Sequence, residues 1–305
     1  KIERFAKIEA ELKQKGSLDI PSLSQLLGCS EETVRRDLRE LDPANNVGLP
    51  LVPQIMTRKA PDFLWAAELM EDLGYREVNL NLGCPSGTVT GKNKGAGLLR
   101  QPELLRQLLD GIFDALPDMK ISVKTRIGKN EPEEWDALLA LYGKYPISEL
   151  IVHPRVQKEF YKGTVHRDAF DRALEAYPGT LVYNGDLFTP LDIGMFCRQY
   201  PQVTAVMTGR GLMADPSLLR QTRGGRPASR QELTAFHDRL LALYAARLNG
   251  DTPVLHRMRE LWNYLSGSFE GTDRPLKAIR KAKDLPAYEA AAQEILRSCP
   301  LKDAK

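Results

Sequence analysis

The residues from 79 to 86, Asn-Leu-Asn-Leu-Gly-Cys-Pro-Ser, place a thiol directly after a strand-like run. The glycine and proline on either side of Cys84 favour a tight turn at the end of that run. A thiol held in this way can act as a nucleophile or as a general acid. A small cysteine that packs a turn would leave the same pattern, so residue type alone leaves both roles open.

Basic and imidazole side chains recur in pairs at the ends of two later strand-like runs. Lys124 and Arg126 are two residues apart, and so are His153 and Arg155. Because successive side chains of a strand point to opposite faces, the two members of each pair are expected to share a face. Two cations inside a barrel need an anion or an electron-rich ring beside them. The repetition at two strand ends therefore favours an anion-binding interior over solvated surface charges.

Glycine-rich turns end the last two strand-like runs of the same segment. Asn184-Gly185-Asp186 follows one run, and Gly209-Arg210-Gly211 follows the next. Glycines at such turns let backbone N–H groups approach a phosphate closely, and Arg210 can complete the site. Because these are consecutive strand ends, we expect a phosphate-binding site between them.

The elements that position these residues follow a repeated βα pattern between residues 49 and 222. Strand-like runs at 51–56, 77–82, 121–127, 149–153, 181–184 and 205–208 are each followed by an amphipathic helical stretch. This alternation predicts a parallel sheet with helical crossovers. Polar and charged side chains that could act in a site fall at the carboxyl ends of the runs. In a β/α barrel, these strand ends form the active-site face. We therefore expect the α/β class, as an incomplete TIM-type (β/α) barrel of about six strands.

Composition narrows the class of protein. The chain has 305 residues with 43 Lys+Arg and 40 Asp+Glu, an ordinary globular balance. Its apolar runs are too short for a membrane span, and its charged first thirty residues do not resemble a signal peptide. Its four cysteines are too scattered for a disulfide framework or a zinc cluster. We expect a soluble cytoplasmic protein with neither a membrane partner nor a metal site.

Helical patterns flank the βα segment on both sides. Before it, two amphipathic helices, a tight turn and a polar helix give the helix-turn-helix pattern. After it, from 229 to 298, apolar residues recur at helical spacing in three or four helices. Residues 221–305 hold 15 Lys+Arg against 10 Asp+Glu. This excess indicates either a weak polyanion-binding surface or a solvated helical face.

Six motifs, in order and at matching spacing, make residues 45 to 298 resemble the bacterial tRNA-dihydrouridine synthases. They are Pro53-Gln54-Ile55, the 79–86 stretch together with Gly95-Ala96-Gly97-Leu98-Leu99, residues 123–128, His153-Pro154-Arg155, Tyr183-Asn184-Gly185-Asp186 and Gly209-Arg210-Gly211. The resemblance covers about four fifths of the chain. It lacks the two βα units that precede the Gln54 strand in that family.

The resemblance implies an oxidoreductase that reduces uridine in tRNA to 5,6-dihydrouridine, with FMN as cofactor and NADPH as reductant. It implies that Cys84 is the catalytic acid, that Asn81 lies beside the uracil, and that Arg126 and Arg155 are on the substrate side. The residues expected to hold FMN are Gln54, Lys124, His153, Asn184, Asp186, Gly209 and Arg210. The domains are then a helix-turn-helix segment at 1–44, a partial flavin-binding barrel at 45–224, and a helical RNA-binding domain at 225–305.

Residues 30–41 resemble the recognition helix of DeoR-type transcriptional repressors. That resemblance implies DNA as a partner, contacted through Thr33, Arg35 and Arg36. It leaves a second hypothesis open, a DNA-binding regulator fused to a catalytically inactive flavin-barrel remnant. A fusion product without a function of its own is the third.

Overall fold

The computed structural model describes residues 43–302, and its centre is one parallel sheet. The strands are β1 (Gln54–Ile55), β2 (Glu77–Leu82), β3 (Lys120–Gly128), β4 (Leu150–Val156), β5 (Leu181–Tyr183) and β6 (Ala205–Val206). They pair in chain order, each parallel to the next. The predicted six-stranded parallel sheet is confirmed. Within residues 43–302, β1 and β6 do not pair with each other, so the barrel is open between them.

Helices connect the strands and cover the outer face of the sheet. Those in and directly after the sheet are α1 (Ala60–Asp72), α2 (Gly87–Thr90), α3 (Pro102–Ala115), α4 (Glu134–Tyr142), α5 (Arg167–Ala176), α6 (Pro190–Gln199), α7 (Arg210–Ala214) and α8 (Leu218–Thr222). The C-terminal helices are α9 (Arg230–Arg247), α10 (Asp251–Leu265), α11 (Asp273–Lys281) and α12 (Leu285–Ser298). A 3-10 helix at Pro43–Asn46 precedes β1.

Apolar and polar side chains alternate along β2, so one face of the sheet packs in the core and the other carries polar groups. Val78, Leu80 and Leu82 are fully buried in the apolar core beneath the helices. Asn79 and Asn81 lie on the other face, where both amides hydrogen-bond to the Gln54 side chain of β1. Because side chains alternate between faces, one strand can supply apolar packing outside and polar groups inside.

The buried apolar residues form two separate clusters. The first lies between the sheet and its helices and includes Phe63, Trp135 and Phe170. The second lies within the C-terminal helices and includes Trp262 and Tyr288. Each unit therefore has its own apolar core.

The predicted DNA-contacting residues Thr33, Arg35 and Arg36 lie outside the described residues, as does nearly all of the 1–44 segment. In residues 43–302 no helix is both long and apolar enough to cross a membrane. The same part of the chain holds no group of three or more His, Cys, Asp or Glu side chains that could bind a metal ion.

Candidate functional site

A cavity of about 440 Å³ lies at the carboxyl ends of the strands. It gathers residues from all six strand ends, as expected for a β/α barrel. The predicted site residues that line it are Gln54, Asn81, Cys84, Lys124, Arg126, His153, Asn184, Asp186, Gly209 and Arg210. Residues separated by more than 150 positions in sequence thus form one site.

The turn that carries Cys84 is held by a side chain of β2. The Asn81 carboxamide oxygen accepts hydrogen bonds from the backbone N–H groups of Gly83 and Cys84, each at 3.0 Å. Its amide nitrogen donates to the side-chain oxygen of Gln54 at 2.7 Å. The Cys84 side chain remains partly exposed to the cavity. Asn81 therefore fixes where the thiol lies, in addition to any contact it makes with a ligand.

A glycine allows a second segment to pack onto the Cys84 turn. Gly95 has a φ of +54°, and a Cβ there would lie 2.9 Å from the Cys84 carbonyl oxygen. The neighbouring Ala96 donates its backbone N–H to that same oxygen. Only glycine combines this backbone conformation with so close an approach.

Lys124 and Arg126 both reach the cavity from β3, as their spacing predicts. Burial lowers the pKa of Lys124 to about 8, helped by the charge of Arg126 and opposed by Cys84. Lys124 is thus a cation at neutral pH that can lose its proton in mild base. Arg126 is buried and donates to the backbone carbonyl oxygens of Gly83 and Val156, which tie the ends of β2 and β4 to β3.

Arg155 does not line the cavity, although its spacing from His153 predicts that both share a face. The pairing of β3 with β4 is irregular beyond Arg126 and His153: two residues along β3 correspond to three along β4. A bulge of this kind breaks the period-two alternation and redirects a side chain. Arg155 has 1% of its surface exposed, and its guanidinium hydrogen-bonds the side chains of His153 and Asp186, which do line the cavity.

Asp186 is the carboxylate that balances these cations. It accepts hydrogen bonds from both terminal nitrogens of Arg155 and one from Arg210 at 2.8 Å. Burial would raise the pKa of Asp186, but the hydrogen bonds and charges of the two arginines hold it below its usual value. Its oxygens are therefore engaged by the protein's own guanidinium groups.

His153 is buried and neutral. Burial, together with the charges of Arg126, Lys124, Arg155 and Arg210, lowers its pKa to about 2. An imidazole in this setting can donate or accept a hydrogen bond but cannot carry the proton of an acid at neutral pH.

Tyr161, in the loop after β4, is a lining residue that sequence reasoning missed. Its ring centroid lies 4.4 Å from the Arg210 guanidinium and 5.2 Å from that of Arg126, within cation–π distance. The only available signal was the aromatic pair Phe160-Tyr161 shortly after a predicted strand. Met207, just after β6, was missed as well and accepts a hydrogen bond from the Asn184 amide.

The two glycines of the last turn have different surroundings. A Cβ on Gly209 would meet nothing within 4 Å, whereas one on Gly211 would lie 2.5 Å from the Leu187 carbonyl oxygen. Gly209 therefore leaves space at the cavity beside Arg210, and Gly211 allows close packing. Open backbone beside a guanidinium suits an anionic ligand such as a phosphate.

Comparison with known proteins adds a family match to this geometry. The model of the dihydrouridine synthase family matches residues 24–298, beginning inside the segment predicted as a helix-turn-helix. The tRNA-dihydrouridine(16) synthase of Pseudomonas putida is 30% identical over 197 residues, which are 63% of this chain and 60% of that protein. The chain thus spans less than two thirds of the length of this relative.

A second relative and a solved structure are also similar to this chain. The tRNA-dihydrouridine(16) synthase of Shigella flexneri is 28% identical over 229 residues, 73% of this chain and 71% of its own. The structure of morphinone reductase is similar over 56% of this chain and 50% of its own, with a TM-score of 0.41 and 16% sequence identity.

Proposed function

The chain belongs to the dihydrouridine synthase family, and on this premise we propose that it reduces uridine in tRNA to 5,6-dihydrouridine. FMN is the proposed cofactor and NADPH the proposed reductant. One observation carries the proposal: the partly exposed Cys84 thiol and the cations Lys124, Arg126 and Arg210 surround a single cavity. A thiol beside a polar, cation-lined cavity suits proton transfer to a ring bound next to an anionic cofactor.

The charged and polar lining residues suit a flavin nucleotide. Arg210 and the open backbone at Gly209 suit a phosphate, and Lys124 adds a second cation. Gln54, His153, Asn184 and Asp186 complete the proposed FMN-binding set. Asp186 acts in this set by holding Arg155 and Arg210 in place, because its own oxygens accept from both. When bound, FMN supplies the hydride chemistry that protein side chains lack.

Cys84 is the proposed catalytic acid. Its Sγ delivers a proton to C5 of the uracil, while Asn81 holds the thiol-bearing turn through two backbone hydrogen bonds. A positioned general acid of this kind contributes about 10²–10⁴-fold to the rate. His153 is excluded from this role because burial and its cationic neighbours keep it neutral at physiological pH.

A strongly basic helix is the proposed contact for the tRNA backbone. Arg274, Lys277, Arg280 and Lys281 of α11, with Lys283 just beyond it, are all exposed. None of them takes part in an ion pair with another residue of the described chain. Cations without internal partners are available to phosphates. Such a grip is needed because a stacked uracil must leave its stack to reach a cavity.

A visible absorption spectrum of the purified protein, with and without added FMN, is the decisive first experiment. The proposal predicts a flavin spectrum shifted from that of free FMN in a monodisperse sample. Unmodified tRNA and NADPH should then give dihydrouridine in the presence of the protein. A folded protein that cannot be loaded with FMN would overturn the proposal.

A further inference from the structure

The hydrogen bond between His153 and Arg155 determines which ring nitrogen of His153 carries the proton. The Nε2 atom of His153 lies 3.2 Å from a terminal nitrogen of Arg155. A guanidinium has only donors, so His153 must offer a lone pair at Nε2. A neutral imidazole has one N–H, and it must therefore be at Nδ1.

The other ring nitrogen is left for a ligand. His153 lines the cavity, yet its Nδ1 atom makes no hydrogen bond with any residue in the described part of the chain. An N–H group without a protein acceptor can donate to an oxygen of a ligand bound in the cavity. The N–H thus has a defined direction before any ligand binds.

Arg155 is itself held from two further sides. Its guanidinium donates to both carboxylate oxygens of Asp186 and to the Gly163 carbonyl oxygen. Only 1% of its surface is exposed, so close-packed neighbours restrict its movement. Asp186 is also held by Arg210, so the position of Arg155 does not depend on a single contact.

We propose that Arg155 is a positioning residue that fixes His153 as the Nδ1–H tautomer, so that this N–H donates to an oxygen of the bound flavin nucleotide. The identity of the acceptor rests on the proposed function; the tautomer does not. Arg155 then acts through His153 rather than on the substrate, where the family resemblance expects it.

The surroundings of His153 exclude the doubly protonated ring as an alternative. Lys124 and Arg126 face it from β3, Arg210 from α7, and Arg155 from its own strand. The Tyr161 ring, 5.8 Å away, covers it from the loop after β4. The carboxylate of Asp186 is hydrogen-bonded to Arg155 and Arg210 and not to His153. Because four cations surround His153, a second proton on its ring is electrostatically unfavourable near neutral pH.

Two-bond ¹⁵N–¹H spectra of protein labelled with ¹⁵N-histidine, recorded without FMN, test the tautomer directly. His153→Gln identifies the His153 signals by their disappearance, and the exposed His256 provides a reference in the same spectrum. We expect a protonated Nδ1 and an unprotonated Nε2 from pH 5 to pH 8. A proton on Nε2, or an imidazolium in this range, would overturn the proposal. Since no flavin is needed, failure to bind FMN would count only against the proposed function.

Arg155→Met tests the positioning role. It should populate the Nε2–H tautomer of His153 and weaken FMN binding about tenfold, the scale of one lost hydrogen bond. Arg155→Lys keeps a donor-only cation and should retain the Nδ1–H signal. Arg172→Met, which removes a partly exposed arginine paired with Asp136 and Asp168, is the matched control and should change neither. A folded Arg155→Met protein that keeps a pure Nδ1–H tautomer would refute the role of Arg155.

Discussion

Two buried histidines in this molecule, His153 in the barrel and His237 in the C-terminal helices, have opposite surroundings. Burial is the first cause that lowers the pKa of each. Both nitrogens of His237 are engaged by the chain itself, one with Asp238 at 2.8 Å and one with the Tyr288 hydroxyl at 2.7 Å. His153 has one bonded nitrogen and four cations nearby, and each of the two histidines lines a cavity.

The difference shows that burial alone does not separate a structural histidine from a ligand-binding one. The His237 ring belongs to a closed network, because Trp262 also donates to the Tyr288 hydroxyl. A closed network stabilises the helices and leaves no group for a ligand. His153 is in an incomplete network, and the missing partner indicates where a ligand oxygen is expected.

The largest effect should come from loss of the proposed catalytic acid. Cys84→Ala should lower the rate of dihydrouridine formation about 10²–10⁴-fold, since a positioned general acid is lost. FMN binding, followed by the visible spectrum, should remain. Cys197→Ala, at an exposed site on α6, is the control and should keep full activity. A Cys84→Ala protein that keeps full activity would show that Cys84 is not the catalytic acid.

Replacing each histidine by phenylalanine should affect stability in one case and FMN binding in the other. His237→Phe leaves Tyr288 and Trp262 with an incomplete network and should lower the free energy of unfolding by about 1–3 kcal/mol without changing FMN affinity. His153→Phe should weaken FMN binding about tenfold, the scale of one lost hydrogen bond, with a smaller effect on stability. Urea unfolding and FMN titration measure both quantities. Equal loss of FMN affinity in the two variants would contradict the assignment of separate roles.

The pH dependence of FMN binding should report the charge of Lys124. Because the pKa of Lys124 is lowered to about 8, its charge is present below that pH and is lost as pH rises through it. FMN affinity should fall about fivefold between pH 7 and pH 9, since a charged hydrogen bond becomes a neutral one.

That titration is best measured in Cys84→Ala protein, which lacks the cavity thiol. Adding Lys124→Met should flatten the pH profile of FMN binding.

The lowered pKa of Lys124 also affects stability: from pH 8 to about 10 the unfolded chain binds more protons than the folded one. Lys124 therefore makes the free energy of unfolding rise with pH in that window. If FMN affinity or the free energy of unfolding keeps its full pH dependence in the Lys124→Met variant, another group is responsible for that dependence.

The smallest effects belong to the basic helix. Lys277→Ala and Lys281→Ala on α11 should each weaken tRNA binding several-fold and reduce its salt dependence by about one counterion. Lys120→Ala, at the amino end of β3 opposite the cavity, is the matched control. If the salt dependence of tRNA affinity is unchanged in the α11 variants, the tRNA backbone does not contact this helix.

The sequence predicted much of the site because its determinants are local. Strand periodicity and the residues just beyond each run placed Gln54, Asn81, Cys84, Lys124, His153 and Asn184 at one edge of a parallel sheet. The DNA-binding hypothesis concerns residues outside the described chain and stays a prediction. The same holds for the roles of individual site residues.

What the sequence determined by itself is the order and type of the βα units, since hydrophobic periodicity is written into neighbouring residues. Only the tertiary structure decided the rest: Arg155 against His153, Asp186 between two arginines, and Tyr161 against Arg210. The bulge in β4 breaks the alternation from which Arg155 was placed, and the other two contacts join parts of different βα units. Such contacts depend on how whole units pack, and no local pattern encodes them.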